Sequence, residues 1–354
     1  MSALAEQTNT PFVAVDLDVV DGNIERMQAR SAALGLDFRP HVKTHKLPLI
    51  AHRQLKAGAV GVACQKLSEA KVMASAGVGP ILITYPLMGE EKWREAAILA
   101  SEFEFEFSAD SAVAVEGLGA HLDPEGDVAI RVDCDTGRWR TGVPEPADAL
   151  RLAQLIESIP GMRFGGLVTH PAPDDARTWF EEAIRIFGEA GLEIPVISVG
   201  GTPVSFTDAP AFEAATEFRA GTYVYGDRAC IASGSNSEEQ CAMRIHAMVI
   251  SLPTETRAVV DAGSKVLAAD GAEGIDDGLH GHVVGHPGIT IPMLSEEHGH
   301  LDLTAAPGSL KLGEIVEIIP NHACAVTNLN DDVLLHRSGR TLGFEPVPAR
   351  GKSR

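Results

Sequence analysis

The run RPHVKTHK, residues 39–46, places two lysines, two histidines and an arginine close together. Alternating apolar residues precede it, so we interpret it as the end of a short strand and the loop that follows. A lysine amine becomes a nucleophile when partial burial or neighbouring cations lower its pKa. Lys43, where the strand stops, is therefore a candidate Schiff-base residue. A solvated basic loop is the alternative that this segment alone leaves open.

Two glycine turns follow predicted strands and are candidates for phosphate binding. SVGGTP spans residues 198–203, and AGTYVYGD spans residues 220–227. Glycine allows several backbone amides to converge on an anion, and phosphate sites after strands seven and eight recur in (β/α)8 barrels. Tight turns also need glycine for backbone reasons, so the two turns together are stronger evidence than either alone.

A charged loop, DTGRWRTGV at residues 135–143, follows the predicted fifth strand. It would bring Arg138 and Arg140 to the same end of the strands as Lys43. Because arginine does not give up its proton, a guanidinium held against a heterocyclic nitrogen would keep that nitrogen unprotonated. Surface ion pairing is the alternative for such a loop.

The segment NHACAVTNLND, residues 321–331, carries His322 and Cys324 two positions apart, directly after the apolar run GEIVEIIP. On a continuing strand both side chains would face the same side and could bind one divalent ion. Imidazole with thiolate favours zinc over magnesium, and two protein ligands leave positions open for water or substrate. A buried cysteine beside a hydrogen-bonded histidine is the alternative.

The elements that must position these residues alternate along most of the chain. From about residue 20 to 235, short β-like runs and helical patterns follow one another with short connections, which predicts parallel strands. The eight strand candidates are Asp37–Pro40, Gly61–Ala63, Ile81–Thr84, Glu104–Ser108, Ala129–Val132, Gly165–Thr169, Val196–Val199 and Glu217–Arg219. Eight such units predict a (β/α)8 barrel, in which chemistry lies at the C-terminal ends of the strands. Lys43, His170 and the glycines of SVGGTP fall there.

The pattern changes beyond about residue 240, where alternating β-runs are punctuated by glycine. This half predicts an all-β domain. We therefore expect a barrel over residues 16–240 and a β-domain over residues 241–354, which an early strand at residues 8–15 would join.

Composition narrows the classes of function. The chain of 354 residues has 29 basic and 49 acidic side chains and a formal net charge of −20, so nucleic acid and anionic membranes would be repelled. No apolar run approaches the length that spans a bilayer. Five scattered cysteines argue for a reducing compartment rather than a disulfide framework. We expect a soluble, cytoplasmic protein that acts on small molecules.

Taken together, the motifs resemble the fold-type III pyridoxal phosphate enzymes, and within them the D-threonine aldolases and D-serine dehydratases, which share an alanine-racemase-like barrel. The ordered series is far more specific than any one motif, and it implies pyridoxal 5'-phosphate as cofactor and a homodimer. The segments that carry the resemblance are TPFVAVDLDVVDGNIERM, RPHVKTHK, GVACQKLSEAKVMASAG, ILITYPLMG, DTGRWRTGV, SVGGTPV, AGTYVYGD, VVDAGSKVLAADG, SEEHG and PNHACAVTNLND.

The resemblance also implies roles for individual residues. Lys43 would be the Schiff-base residue, and Arg140, in the DTGxxRTG pattern, would face the pyridine nitrogen. His322 and Cys324 would hold a divalent metal, zinc or manganese. The residues that would bind the phosphate are Ser198, Gly200, Gly201, Thr202, Gly221, Thr222 and Tyr223.

One departure from the family concerns the residues after the sixth strand. Family members commonly carry there a histidine followed within a few residues by a glycine and a tyrosine near the cofactor. This chain reads THPAPDDART at residues 169–178, so His170 is present and the tyrosine is not. The HxC spacing of the metal pair resembles the dehydratases and some aldolase-like members, whereas other aldolases show HxD.

The resemblance implies a lyase that acts on D-3-hydroxy amino acids, with His170 as the base for the β-hydroxyl and Lys43 as the base for Cα. Retro-aldol cleavage of the D-threonine aldolase type, giving glycine and an aldehyde, is the first expectation. Elimination of the D-serine dehydratase type, giving a 2-oxo acid and ammonia, is the second. A racemase would need a second base and no metal pair, and a pyridoxal phosphate carrier of this fold is usually a bare barrel.

Overall fold

The computed structural model of the protein describes residues 9–170, 176–202 and 213–354. Contacts divide these residues into two compact units. The sheet unit comprises the described residues of Met1–Glu25, Thr44–Lys46 and Thr222–Gly351. The barrel unit comprises those of Arg26–Lys43, Leu47–Gly221 and Lys352–Arg354.

Strands and helices are numbered in chain order through both units. The strands are β1 (Phe12–Asp16), β2 (Asp37–Phe38), β3 (Val62–Cys64), β4 (Ile81–Ile83), β5 (Phe105–Ala109), β6 (Val128–Asp133), β7 (Met162–Val168), β8 (Ile197–Gly200), β9 (Glu217–Arg219), β10 (Met243–Thr254), β11 (Arg257–Val260), β12 (His282–Val283), β13 (Thr290–Leu294), β14 (Gly299–Asp302), β15 (Ile315–Ile319), β16 (Asp332–Arg337) and β17 (Arg340–Pro346). The helices are α1 (Leu17–Ala33), α2 (Pro48–Lys56), α3 (Leu67–Ser75), α4 (Glu90–Glu102), α5 (Ala112–Gly119), α6 (Pro146–Ser158), α7 (Ala176–Glu189), α8 (Arg228–Ala232), α9 (Ser264–Leu267) and α10 (Ala323–Leu329).

The barrel unit contains the parallel sheet β2-β9-β8-β7-β6-β5-β4-β3. The sheet closes on itself, because the Ala63 amide donates to the Pro40 carbonyl at 2.8 Å and Ala63 bridges His41 in parallel. Each of the eight strand candidates coincides with an observed strand to within a few residues. The predicted (β/α)8 barrel is therefore confirmed.

Local sequence explains why these segments form their elements. Strands β3 and β4 are short apolar runs whose residues are all buried, as expected for strands covered on both faces. Helix α6 has proline in its first turn and buries Ala149, Leu152, Ala153 and Ile156, which recur at helical spacing. Such helices pack one apolar stripe against the strands.

Charged side chains are buried inside the barrel, where branched apolar residues are more usual. The Arg131 guanidinium donates to Glu106 Oε2 at 2.7 Å and to Glu217 Oε1 at 2.7 Å. Arg39 donates to the same two carboxylates at 2.9 and 2.8 Å. Burial alone would raise the pKa of Glu217, but the charges on Arg131 and Arg39 outweigh it and lower the pKa to about 2. Glu217 is therefore ionised at neutral pH.

We expect Glu217→Gln to destabilise the protein by about 3–5 kcal/mol, because it leaves two buried guanidinium groups with one carboxylate. Urea unfolding followed by circular dichroism measures the change. Glu182→Gln in α7 is the matched control, since Glu182 pairs with Arg185 on an exposed surface and should change the unfolding midpoint little. Equal midpoints for the wild type and Glu217→Gln would contradict the expectation.

The sheet unit is built on the strand path β13-β14-β11-β10-β1-β16-β17, with β15 pairing β10 and β12. Strand β1 pairs antiparallel with β10 and parallel with β16, so the first strand of the chain lies inside this sheet. The short helices α8, α9 and α10 accompany the strands. In the described parts of both units, no helix combines the length and apolarity needed to cross a membrane.

One face of β1, β10, β15 and β16 carries titratable side chains beside the buried apolar cluster of Phe12, Ala14 and Leu334. Register places Phe12 and Glu317 opposite His246, and Asp16 opposite His336. These strands border a cavity of about 340 Å³, whose charged and titratable lining groups are Asp16, Glu239, Cys241, Arg244, His246, Glu317 and His336. Burial lowers the pKa of both imidazoles, although the carboxylates of Asp16 and Glu317 act in the opposite direction.

Because the unfolded chain protonates His246 more readily than the folded one, we expect stability to fall as the pH drops below about 6.5. His246→Gln should reduce the loss of melting temperature between about pH 7.5 and about pH 5.5. Differential scanning fluorimetry measures both slopes, with His298→Gln, at an exposed histidine, as the control. Identical pH dependence in His246→Gln and the wild type would show that this imidazole makes no such contribution.

Candidate active site

Lys43 lies in one turn of 3-10 helix, Val42–Thr44, beyond the C-terminal end of β2. Its backbone N–H donates to Nδ1 of His41 at 3.3 Å. Nε2 of the same ring lies 3.1 Å from Gln65 Oε1 and 3.1 Å from Thr84 Oγ1, so we assign the ring proton to Nε2. Burial, followed by the charge on Lys43, lowers the pKa of His41 well below its usual range. A neutral His41 therefore fixes the turn that carries the half-buried Lys43.

His170 lies just past the end of β7, in a positive field. Burial, followed by the charges of Lys43, Arg140, Arg219 and Arg138 in that order, lowers the pKa of His170 to about 3. These cations come from loops and strand ends at the C-terminal side of the barrel. The ring is neutral at physiological pH, and its surroundings favour an anion.

The loop that carries Arg140 is organised by two aspartates. Asp135 Oδ1 accepts the backbone N–H groups of Gly137, Arg138 and Trp139 at 3.0, 2.9 and 3.2 Å. Asp133, at the end of β6, accepts the Thr141 hydroxyl at 2.7 Å.

The side chain of Arg140 itself is exposed. Its predicted contact with a pyridine nitrogen therefore stays a prediction.

A second guanidinium, Arg219 at the end of β9, is buried, and sequence reasoning missed it. Its Nη2 donates to the Thr169 carbonyl at 2.8 Å, and its Nη1 donates to the Ser198 hydroxyl. Burial lowers the pKa of Arg219 to about 10, so it stays charged at neutral pH. The hydroxyl of Ser198 also donates to Glu217. The Ser198 hydroxyl thus donates its proton to Glu217 and accepts a hydrogen bond from Arg219 inside the barrel. These contacts do not support the predicted contact of this side chain with a phosphate.

The backbone of the first glycine turn lies close to His170 and to the main chain of Arg219. A Cβ on Gly200 would lie 3.1 Å from His170 Nδ1 and 3.1 Å from the Arg219 carbonyl oxygen. Gly201 has φ +122°, which favours glycine, and donates its N–H to the Arg219 carbonyl at 2.8 Å. Thr202 is buried. The glycines are thus required by close approach and by backbone conformation.

The second glycine turn follows β9 at Gly221 and continues into the 3-10 turn Thr222–Val224, where Tyr223 is buried. Two of the sequence predictions reach beyond the described residues. Residue 203 of the first turn lies outside them. So do residues 171–175, where the family's tyrosine would be sought.

In the sheet unit, His322 is the N-cap of α10 and Cys324 lies in the first helical turn. We expected the strand to continue through this pair, and that expectation was wrong. Pro320 directly follows β15, and a helix begins at Ala323. His322 Nδ1 lies 2.9 Å from Asp270 Oδ2. A hydrogen bond with Cys324 is the main cause that raises the pKa of His322 to about 9. Since Nδ1 faces Asp270, we assign the contact with Cys324 to Nε2.

Two hydroxyls and one further carboxylate complete the surroundings of this pair. Cys324 Sγ lies 3.2 Å from Thr44 Oγ1 and 3.9 Å from Thr222 Oγ1. The buried carboxylate of Asp227 accepts the Cys230 N–H at 2.9 Å and the Ala323 N–H at 3.1 Å. It therefore caps α8 and also holds the backbone between the two candidate ligands.

Sequence reasoning assigned no role to Asp227 or Asp270. Asp227 is the last residue of the AGTYVYGD segment, and Asp270 lies near the end of the VVDAGSKVLAADG segment. In the described parts of the chain, no group of three or more His, Cys, Asp or Glu side chains is arranged to hold a metal ion. The imidazole and thiol of His322 and Cys324 are donors of the kind that zinc prefers, and they fit an ion that takes its remaining ligands from water or substrate.

Comparison with known proteins gives the family. Residues 15–229 match the family model described as the alanine racemase N-terminal domain, and residues 242–336 match one that describes a serine dehydratase domain. The chain belongs to the fold-type III pyridoxal phosphate enzymes. It is a pyridoxal phosphate-dependent lyase, as its relatives are.

Two curated relatives align over nearly their full length. A D-threonine aldolase of Arthrobacter sp. is 30% identical over 365 residues, which cover 98% of this chain and 94% of the relative. A D-threo-3-hydroxyaspartate dehydratase of Delftia sp. strain HT23 is 31% identical over 353 residues, covering 90% and 91%. Both relatives act on D-3-hydroxy amino acids by name.

Solved structures agree with the fold. The D-threonine aldolase of Filomicrobium marinum superposes with a TM-score of 0.85 at 31% identity, covering 98% of this chain and 97% of that one. A cysteine-to-alanine variant of D-threo-3-hydroxyaspartate dehydratase, described as the metal-free form, superposes with 0.84 at 28% identity, covering 98% and 99%. A second variant of that dehydratase replaces a histidine two positions before the cysteine. This spacing equals that of His322 and Cys324.

The barrel residues fit an anionic cofactor with an aldehyde. The half-buried Lys43 follows the end of β2, and several cations lie near His170. The missing side chain of Gly200 lets the backbone of the turn approach His170 and Arg219 closely. This agrees with the pyridoxal phosphate that the family implies.

Proposed function

We propose that the protein is a pyridoxal phosphate- and divalent-metal-dependent lyase that cleaves D-3-hydroxy amino acids by a retro-aldol reaction, giving glycine and an aldehyde. The observation that carries the metal-dependent part is the His322–Cys324 pair, with its ring held by Asp270 and its backbone held by Asp227. The 30% identity to a D-threonine aldolase, over 98% of this chain, supports the aldolase outcome, and the 31% identity to a dehydratase keeps elimination as the second candidate.

Each group of this chain has a role in the proposal. Lys43 provides the amine that holds the cofactor aldehyde, and the positive end of the barrel holds its phosphate. Ser198, Gly200, Gly201, Thr202, Gly221, Thr222 and Tyr223 are the proposed phosphate-binding residues, through backbone atoms in the case of Ser198. When bound, pyridoxal phosphate supplies an electron sink for bonds at Cα, and a divalent ion at His322 and Cys324 supplies a Lewis acid for the β-hydroxyl.

The outcome depends on which proton the protein removes. His170, neutral at physiological pH, accepts the proton of the β-hydroxyl, and the Cα–Cβ bond then breaks. A phosphate dianion bound at this positive end would offset part of the field that lowers the pKa of His170, which would make the ring a better base. If Lys43, displaced from the cofactor by the substrate amine, instead removes the Cα proton, the β-hydroxyl takes up a proton and leaves as water. Hydrolysis of the released enamine then gives a 2-oxo acid and ammonia.

Dehydration is the second candidate function, and a specific observation favours it. The HxC spacing of His322 and Cys324 matches that of the two residues replaced in the D-threo-3-hydroxyaspartate dehydratase variants. A homodimer remains a prediction from the family resemblance, and a cytoplasmic location remains one from composition. Sedimentation equilibrium measures the oligomeric state.

Incubation of the purified holoenzyme with D-threonine and with D-serine separates the two outcomes. We expect acetaldehyde and glycine from D-threonine, and loss of this activity with a chelator because the β-hydroxyl loses its Lewis acid. Coupled alcohol dehydrogenase measures acetaldehyde, and lactate dehydrogenase measures pyruvate. Pyruvate from D-serine without acetaldehyde from D-threonine would replace the aldolase by the dehydratase. Activity that survives chelation would contradict the role of the metal.

We expect Lys43→Ala to lose the near-visible absorbance of bound cofactor and its activity, because no amine then holds the aldehyde. Absorbance after gel filtration measures the bound cofactor. Lys46→Gln is the matched control from the same segment, since the Lys46 amine is buried and donates to the Ala349 carbonyl at 3.3 Å. A band that persists in Lys43→Ala and disappears in Lys46→Gln would move the anchor to Lys46.

A further inference from the structure

We propose that Asp270 is a positioning residue for the metal ligand His322. Its carboxylate keeps the proton of the imidazole on Nδ1 and directs the lone pair of Nε2 toward the ion and Cys324. This inference rests on the metal dependence proposed above, and it assigns a role to a residue that lies 52 positions before His322 in the chain.

The geometry of one contact determines the tautomer. Asp270 Oδ2 lies 2.9 Å from His322 Nδ1, which is hydrogen-bonding distance. An ionised carboxylate only accepts hydrogen bonds, so Nδ1 must donate. When a metal ion displaces the other ring proton, the lone pair is therefore on Nε2. A metal ion binds the nitrogen with the lone pair, and a carboxylate on the opposite nitrogen orients the ring and strengthens the ligand.

The backbone around Asp270 is held in place by the residue that precedes His322. Asn321 Nδ2 donates to the Asp270 carbonyl at 3.0 Å and to the Leu279 carbonyl at 2.6 Å. Arg228 donates to Asn321 Oδ1 at 3.3 Å and pairs with Asp277. Two ends of the segment 270–279 are therefore tied to the position next to His322.

This anchoring distinguishes the Asp270–His322 pair from an ordinary ion pair on the surface. The side chains of Asp270 and His322 are 51% and 43% exposed, and a mobile pair at such exposure would contribute little. Here the backbone of both partners is fixed by Asn321, so the carboxylate is already in place when an ion binds. Asp227 complements it, since Asp227 holds the main chain at Ala323 while Asp270 holds the ring.

The test measures metal binding directly rather than turnover. The holoenzyme is freed of metal by a chelator and titrated with cobalt(II), whose absorbance reports both affinity and the bond to the Cys324 sulfur. We expect Asp270→Asn to weaken cobalt(II) affinity by about 10–100-fold. The sulfur-to-cobalt band should still form at saturation, because the ligands themselves remain.

Asp277→Asn is the matched control, because Asp277 belongs to the same segment but pairs with Arg228 and not with the ring. It should bind cobalt(II) as the wild type does. An equal loss of cobalt(II) affinity in both variants would overturn the inference. It would mean that the affinity depends on the order of the segment 270–279 and not on the Asp270 carboxylate. Wild-type affinity in Asp270→Asn would also overturn the inference. A wild type that binds no cobalt(II) would instead refute the proposed metal dependence itself.

A measurement on the unaltered protein keeps the inference testable if Asp270→Asn fails to fold. In the zinc-loaded enzyme labelled with nitrogen-15 histidine, His322 should show a protonated Nδ1 and a metal-bound Nε2. Its resonances are assigned by their loss in His322→Gln. A metal-bound Nδ1 would overturn the inference, because that nitrogen could not then donate to Asp270.

Discussion

The carboxylate of Glu217, buried among arginines, is the constraint on which the inside of the barrel depends. Together with Glu106 it neutralises Arg39 and Arg131. It also accepts a hydrogen bond from the hydroxyl of Ser198, which in turn accepts one from Arg219. Each of these groups would be costly to bury alone, since an unpaired charge in a low dielectric loses its hydration. The chain of contacts thus leads from the core of the barrel to the charged end where His170 lies, and couples stability to the electrostatics of the site.

A second theme is that aspartates act through backbone and ring N–H groups. Asp135 accepts three consecutive amides and shapes the loop of Arg140, and Asp227 accepts two amides from distant segments. Asp270 does the same for an imidazole. In each case the carboxylate is far better suited than a neutral acceptor, because hydrogen bonds to an ionised group are stronger. Hydrogen bonds to these aspartates therefore hold the candidate site residues in position.

Sequence patterns were sufficient for the strands and for the place of several candidate residues at strand ends, but not for the surroundings of those residues. The eight barrel strands were found because short apolar runs between glycine, proline and aspartate report strand ends locally. The same patterns located Lys43, His170 and the glycine turns at C-terminal ends. They failed at His322 and Cys324, where an apolar run followed by polar residues gave no sign that a helix begins.

The sequence by itself determined the barrel and the sheet unit, because these depend on periodicity and on neighbours along the chain, and its ordered motifs resembled those of the pyridoxal phosphate lyases. Only the tertiary structure decided which acids pair with which cations. Glu217 and Arg39 are 178 positions apart, and a chain with 49 acidic residues offers no local means to choose among them. Burial selects the pairs, because an unpaired charge inside the fold is costly whereas an unpaired charge on the surface is hydrated.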